Sequence, residues 1–230
     1  GVWDRFYQRD AAQLLPAVAL QASCIPGQDP PPGRAGWNAT LSSTRERVAA
    51  GDKIVLWSET AVSVADAAEE RELLSLVASL AGGRAYVGAT YALLDTGGTG
   101  ALTNRFALVA PGGEVVWNYA KAFPVPLVEA GLQAGPAVLP WHEAPFGRVT
   151  GAVCFDLDHP GYIRQASGGG ALLLLQPSST WGDVGPRHMR GDALRAAENG
   201  LTIFRCSNNG VSGVMGPDGG EPVMMAWRPR

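Results

Sequence analysis

Residues 171–176 (ALLLLQ) are apolar at every position but the last and lie between Gly168-Gly169-Gly170 and Pro177. A run this short, apolar on both faces of a strand, predicts a strand covered on both sides. A strand of that kind needs layers above and below it, which points to a layered α/β architecture. The run falls far short of the roughly 18 apolar residues of a membrane-spanning helix, and no other stretch approaches that length. No signal peptide is visible, and the chain opens on Gly1 rather than Met. It is therefore expected to be a processed or excised part of something longer.

Around this strand, short apolar runs alternate with helical patterns. Residues 16–22 (PAVALQA) predict a first strand, and 53–57 (KIVLW) a second that ends at Ser58-Glu59-Thr60. The segment 40–50 is polar and helix-compatible. A helix is predicted over 67–80, with Asp66 as N-cap, a stripe of Leu73, Leu74, Val77 and Leu80, and a stop at Gly82-Gly83. Residues 85–90 predict a third strand, and 101–110 and 114–119 a hairpin about Pro111-Gly112-Gly113. A long Pro-rich loop spans 121–140, and a strand is predicted over 148–155 with Cys154 near its end. A helix over 186–199 closes at Gly200, and a last hairpin pairs 201–206 with 211–215. There is no internal repeat and no linker. The reading is a single α/β domain over 1–230, built from two mixed sheets with helices outside.

Composition narrows the function classes. Of the chain, 46% is hydrophobic and 17% charged, which excludes a disordered or coiled-coil polypeptide. Eighteen basic residues against 21 acidic ones give a net charge of −3, so there is no basic surface for nucleic acid. Three cysteines form no complete disulfide framework and have no zinc spacing. Cys24 and Cys206 read as small core hydrophobes. His142-Glu143 lacks the second His of a zinc-protease helix, so no metal or other cofactor is expected. Gly97-Gly98-Thr99-Gly100 reads as a turn rather than a phosphate loop, and His188 as a helix-start residue.

Three polar residues follow predicted strands: Glu59 after KIVLW, Lys121 after EVVWNY and Cys154 after RVTGAV. Strand ends are where layered α/β folds bind ligands. A carboxylate, an ammonium and a thiol converging there supply a base, an oxyanion stabiliser and a nucleophile. Taken singly, each has an ordinary structural reading as well: a buried thiol, a loop carboxylate, a surface lysine.

The surrounding words resemble those of the nitrilase, or carbon–nitrogen hydrolase, superfamily. Trp57-Ser58-Glu59 is similar to its Trp-Pro-Glu, Tyr119-Ala120-Lys121 to its Tyr-x-Lys, and Gly151 to Asp156 (GAVCFD) to its Cys-bearing strand end. The resemblance implies a four-layer α-β-β-α sandwich and a Glu-Lys-Cys triad. Within the superfamily the chain looks most like the apolipoprotein N-acyltransferase branch. Pro126 and Glu129 stand at that branch's offsets from Lys121, and Trp181, Gly185-Pro186, His188, Arg195-Ala196-Ala197-Glu198 and Arg205 to Gly210 follow its order. Ser58, Val128, Phe155-Asp156 and Ser178-Ser179 depart from the branch pattern, and a Phe after Trp181 is missing. These changes leave the triad intact and the lipid and protein specificity open.

The resemblance implies roles for individual residues. Cys154 attacks, Glu59 moves the proton, and Lys121 with the Phe155 backbone N–H faces the oxyanion. Glu129 anchors Lys121 or assists proton transfer, while Trp57, Trp181 and Asp183 line the substrate pocket. Phe123, Val125, Leu127, Val128, Leu132 and Val138 offer an apolar wall beside Lys121. The implied reaction carries an acyl chain from a phospholipid to an amine through a Cys154 thioester. The alternatives are hydrolysis of a small amide or nitrile, and an inactive binding domain. The expected partners are a lipid donor and an amine acceptor, or a small amide, with a homodimer as a further possibility. Membrane contact is expected only if spanning helices flank the segment; the location is then membrane-associated, and otherwise cytoplasmic.

Overall fold

A computed structural model describes residues 21–27, 35–96, 98–181, 183–219 and 223–227. Its strands form two mixed sheets. The first contains β1 (Ala22–Ile25), β2 (Ile54–Trp57), β3 (Val62–Val64), β4 (Tyr86–Leu94), β5 (Leu102–Val109) and β6 (Val115–Ala120). Their order is β1-β2-β4-β5-β6 with β3 also on β4; β1, β2, β3 and β4 run parallel, and β5 and β6 return antiparallel. The second contains β7 (Trp141–Ala144), β8 (Gly147–Gly151), β9 (Leu173–Ser179), β10 (Thr202–Asn208), β11 (Val211–Met215) and β12 (Val223–Trp227). Its order is β12-β11-β10-β9-β8-β7, so the apolar run lies in a central strand, as its composition predicts.

Side-chain alternation along each strand assigns the layers. Along β2, Ile54 and Leu56 enter the core shared with Phe106, Trp117, Val149 and Leu173 of both sheets. Val55 and Trp57 instead join a separate core with Trp37, Leu73 and Val77. Those last three belong to α1 (Ala35–Ala49) and α2 (Ala67–Ala81), which cover the first sheet. The α2 helix opens on Asp66, whose carboxylate accepts the N–H groups of Ala68 and Glu69, and closes on left-handed Gly82. On the second sheet, α3 (Pro160–Gly168) and α4 (Val184–Asn199) bury Ile163, Ala166, Met189 and Ala196. The result is the four-layer α-β-β-α sandwich.

Two contacts fix how closely the sheets approach. A side chain at Gly151 would sit 2.5 Å from the Phe106 ring and 3.1 Å from Trp117, so only glycine lets the end of β8 press against β5 and β6. Cys24 of β1 and Cys206 of β10 form a disulfide across 182 residues, tying one sheet to the other. This corrects their reading as core hydrophobes. Two cysteines that far apart in sequence give no sign of meeting until the sheets are stacked, which brings their Cα atoms to 5.1 Å.

Other differences are local. The strand expected over 148–155 ends at Gly151, and Cys154 opens a short 3-10 helix (Cys154–Asp158) instead. The first strand expected over 16–22 falls mostly outside the described residues; the strand described there is β1. The helix expected over 40–50 begins earlier, within α1. β3, β7, α3 and β12 were not anticipated by the apolar pattern.

Candidate active site

Glu59 stands two residues beyond β2, in a turn held from several sides. The Ser58 N–H donates to Ile25 O at 3.0 Å, its hydroxyl accepts the Gly27 N–H at 2.7 Å, and its carbonyl accepts the Thr90 hydroxyl. Thr60 takes a positive φ of 47°. The Glu59 N–H crosses to the second sheet and donates to Ser178 O at 3.2 Å. With its backbone so fixed, the buried Glu59 carboxylate presents Oε1 to Lys121 Nζ and to Asn104 Nδ2, each at 2.8 Å.

Lys121 follows β6, and its N–H donates to Asn104 O at 2.9 Å. Asn104 therefore holds the lysine by its carbonyl and the glutamate by its amide. The ammonium also donates to both oxygens of Glu129, at 3.0 and 2.7 Å, and Glu129 Oε2 accepts the Val125 N–H at 2.6 Å. Burial alone lowers the proton affinity of Lys121, but the charges of Glu59, Cys154 and Glu129 overcome this and hold it above the ordinary lysine range.

Cys154 occupies a sharp turn with a φ of 46°, a conformation that side-chain-bearing residues seldom adopt. Asp156 holds the turn. Its buried carboxylate accepts the Val153 N–H and the Tyr119 hydroxyl at one oxygen and the Phe123 N–H at the other, all at 2.8 Å. These bonds tie the Cys154 turn to both ends of the segment carrying Lys121. They also explain the tyrosine two residues before Lys121, which closes the link and bonds Tyr162 at 2.8 Å. Burial raises the Asp156 carboxyl to about 6 even against these donors.

The thiol itself is buried and lies 3.5 Å from Ser179 O. Burial, and then the charge of Glu59, push it up to about 12, while Lys121 and Ser178 act in the opposite direction. The resting sulfur is therefore protonated, in an environment that feels both Glu59 and Lys121. Phe155 supplies its N–H at the start of the short helix, where the first amides have no intrahelical partner.

The expected pocket residues fare differently. Trp57 is fully buried in the helix-side core, where its Nε1 donates to Thr44 Oγ1 at 2.8 Å. It faces away from the inter-sheet core, because strand alternation turns it opposite to Leu56. Trp181 lies on the loop after β9, two residues past Ser179, and Asp183 is an exposed residue at the start of α4. His188 is a half-buried residue inside α4, where Nδ1 faces Arg205 Nη1 at 3.1 Å. Sequence reasoning missed Asn104 and Thr90, neither of which belongs to a chemically conspicuous motif, and marked Ser178 only as a departure from the branch pattern. Among the described residues, no group of three or more His, Cys, Asp and Glu could hold a metal ion.

Known proteins fall on this geometry in two ways. An amidase from Nesterenkonia sp. AN1 superposes with a TM-score of 0.76 at 20% identity, covering 91% of this chain and 89% of that one. A further form of it, described as belonging to the nitrilase superfamily, superposes with a TM-score of 0.75. The chain has the nitrilase-superfamily fold. In sequence, it is 35% identical over 88 residues to the apolipoprotein N-acyltransferase of Gloeobacter violaceus, a match spanning 37% of this chain and 17% of that protein. The corresponding protein of Azotobacter vinelandii is 28% identical over 117 residues, 50% of this chain and 22% of the relative. The match thus covers only about a fifth of the length of these curated relatives. No family model matches the chain.

Proposed function

We propose that this chain is a thiol-dependent acyl-transfer unit of the apolipoprotein N-acyltransferase kind, with Glu59, Lys121 and Cys154 as its catalytic residues. The observation that carries the reading is the buried Asn104–Glu59–Lys121 cluster with the half-buried Glu129 beside it, set across the sheet interface from a strained, buried cysteine. As Cys154 Sγ bonds to the acyl carbonyl carbon, its proton passes to Glu59. The carbonyl electron pair becomes an oxyanion facing Lys121 Nζ and the Phe155 N–H. One such donor is worth about 3–4 kcal/mol. Collapse breaks the bond to the leaving alkoxide, which takes the proton from Glu59, and a thioester remains. An amine then attacks that carbon and gives its proton to Glu59, and the thiolate leaves and is reprotonated. Glu129 holds Lys121 in place through both steps.

The loop over Lys121 and the loop beyond β9 support a lipid donor. Leu127 is 95% exposed, Val138 64% and Trp181 54%, apolar side chains of these loops left in water. Such a lip suits a long acyl chain at a membrane surface. The disulfide supports an oxidising compartment over a cytoplasmic one. In this reading residues 1–230 form one domain of a longer membrane-held protein. A second reading, hydrolysis of small amides, is favoured by a form of the Nesterenkonia amidase showing covalent addition of the acetamide moiety of fluoroacetamide at the active site cysteine. The two are separated by supplying a phospholipid with a lipopeptide amine, and separately acetamide, and following acylated peptide and ammonia. Acylated peptide supports transfer; ammonia release with no acyl product from any lipid supports the hydrolase.

A further inference from the structure

We propose that His159 is a positioning residue whose ring, packed between Phe123 and Phe155, fixes the separation of the two groups that face the oxyanion, Lys121 and the Phe155 N–H. The inference rests on the Cys154 acylation proposed above. Phe123 stands two residues beyond Lys121, and Phe155 directly follows Cys154. The His159 ring stacks on Phe123 with centroids 3.9 Å apart and planes inclined by 19°. It meets Phe155 edge to face, at 5.3 Å and 90°. One side chain thus touches the neighbours of both the lysine and the nucleophile. Its backbone keeps it there. The His159 N–H donates to Asp156 O at 3.3 Å, and its carbonyl accepts the N–H groups of Tyr162 and Ile163 at 2.9 and 3.1 Å. The residue therefore joins the short helix of Cys154 to α3, from which Tyr162 packs edge-on against Phe123 at 5.1 Å. The ring is used for its shape. His159 Nε2 is buried and makes no hydrogen bond among the described residues, an arrangement that ordinarily costs stability. What the side chain offers its neighbours is a flat face and an edge, and aromatic pairs hold a preferred geometry that an aliphatic side chain does not impose.

The test compares two reactions of the same thiol. Acylation by p-nitrophenyl butyrate builds an oxyanion on the carbonyl before p-nitrophenolate leaves, whereas alkylation by iodoacetamide builds none. Cys154 is the free thiol among the described residues, and intact mass with peptide mapping places both adducts on it. His159→Leu, which fills the space without a flat ring, should slow acylation roughly ten- to a hundredfold, the scale of a misplaced group or a lost oxyanion donor. It should alkylate at the wild-type rate. His159→Phe, which keeps the ring and removes the unpaired nitrogen, should acylate as the wild type does and melt no lower, thermal melts of both variants checking the fold. A Leu variant that acylates at the wild-type rate, one that loses both reactions equally, or a Phe variant as slow as Leu overturns the proposal. A wild type that is alkylated at Cys154 but never acylated there overturns the acyl-transfer reading itself, and the proposal with it.

Discussion

Replacing both Cys24 and Cys206 by alanine removes the covalent tie between the sheets while leaving the Glu59–Lys121–Glu129 cluster untouched. The disulfide closes a loop of 182 residues. Loop-closure entropy for a crosslink of that span amounts to about 5 kcal/mol at room temperature, at the top of the range seen for disulfides. For a chain of this size each kcal/mol moves the melting temperature by about 2–4 °C, so the double variant should melt about 10–20 °C lower in non-reducing buffer. Circular dichroism melts and urea titrations measure the difference, and reduced wild type should approach the variant. The single variants should lose as much as the double one, because either breaks the same bond. A double variant within about 1 kcal/mol of the oxidised wild type would refute the reasoning, since it would mean that the denatured chain gains no freedom when the tie is cut.

Asn104→Leu removes the amide that donates to Glu59 at 2.8 Å but keeps the carbonyl that receives the Lys121 N–H. A buried hydrogen bond to a charged group is worth about 1.5–3 kcal/mol, so kcat/KM for an acyl ester should fall roughly ten- to a hundredfold; an unchanged value would mean that Lys121 alone orients Glu59. His188 is held down to about 4, first by burial and then by Arg205. The unfolded chain therefore binds a proton near pH 6.5 that the folded one refuses, and this contribution is full above that pH and lost as pH falls to 4. The contribution is about 3 kcal/mol. Asp156, raised to about 6, works in the opposite sense and favours folding as pH falls from 6. His188→Gln should flatten the decline between pH 6.5 and 4 in urea titrations, and an acid limb identical to wild type would contradict it.

The layered architecture was legible because its signals are local. The apolar run in β9, the Asp66 cap, and the Gly82 and Gly200 stops each act within a few residues. The short elements were not. Pro160–Gly168 is a helix of nine residues holding two glycines, and Trp141–Ala144 and Val62–Val64 become strands only because a partner strand lies alongside. The site divides in the same way. Glu59, Lys121, Glu129 and Cys154 stood out by chemistry and by the words around them. Asn104 and Ser178 act through hydrogen bonds made across distant strands, and the Cys24–Cys206 bond exists only once the two sheets stack. Trp57 packs on the helix side for a related reason: the residue that ends a strand points to the helix side or the sheet side according to parity, which the motif does not reveal.

The central claim is that Cys154 carries the acyl group as a thioester formed with the help of Glu59. It is tested most directly by intact-mass spectrometry of the protein mixed with an acyl-ester phospholipid analogue and no amine acceptor. The wild type should gain the mass of one acyl chain, located on Cys154 by peptide mapping and released by hydroxylamine. Glu59→Gln should form the adduct far more slowly, and Cys154→Ser should form no hydroxylamine-labile thioester. An acyl group found on another residue, or an adduct that forms equally fast without the Glu59 carboxylate, would contradict the account.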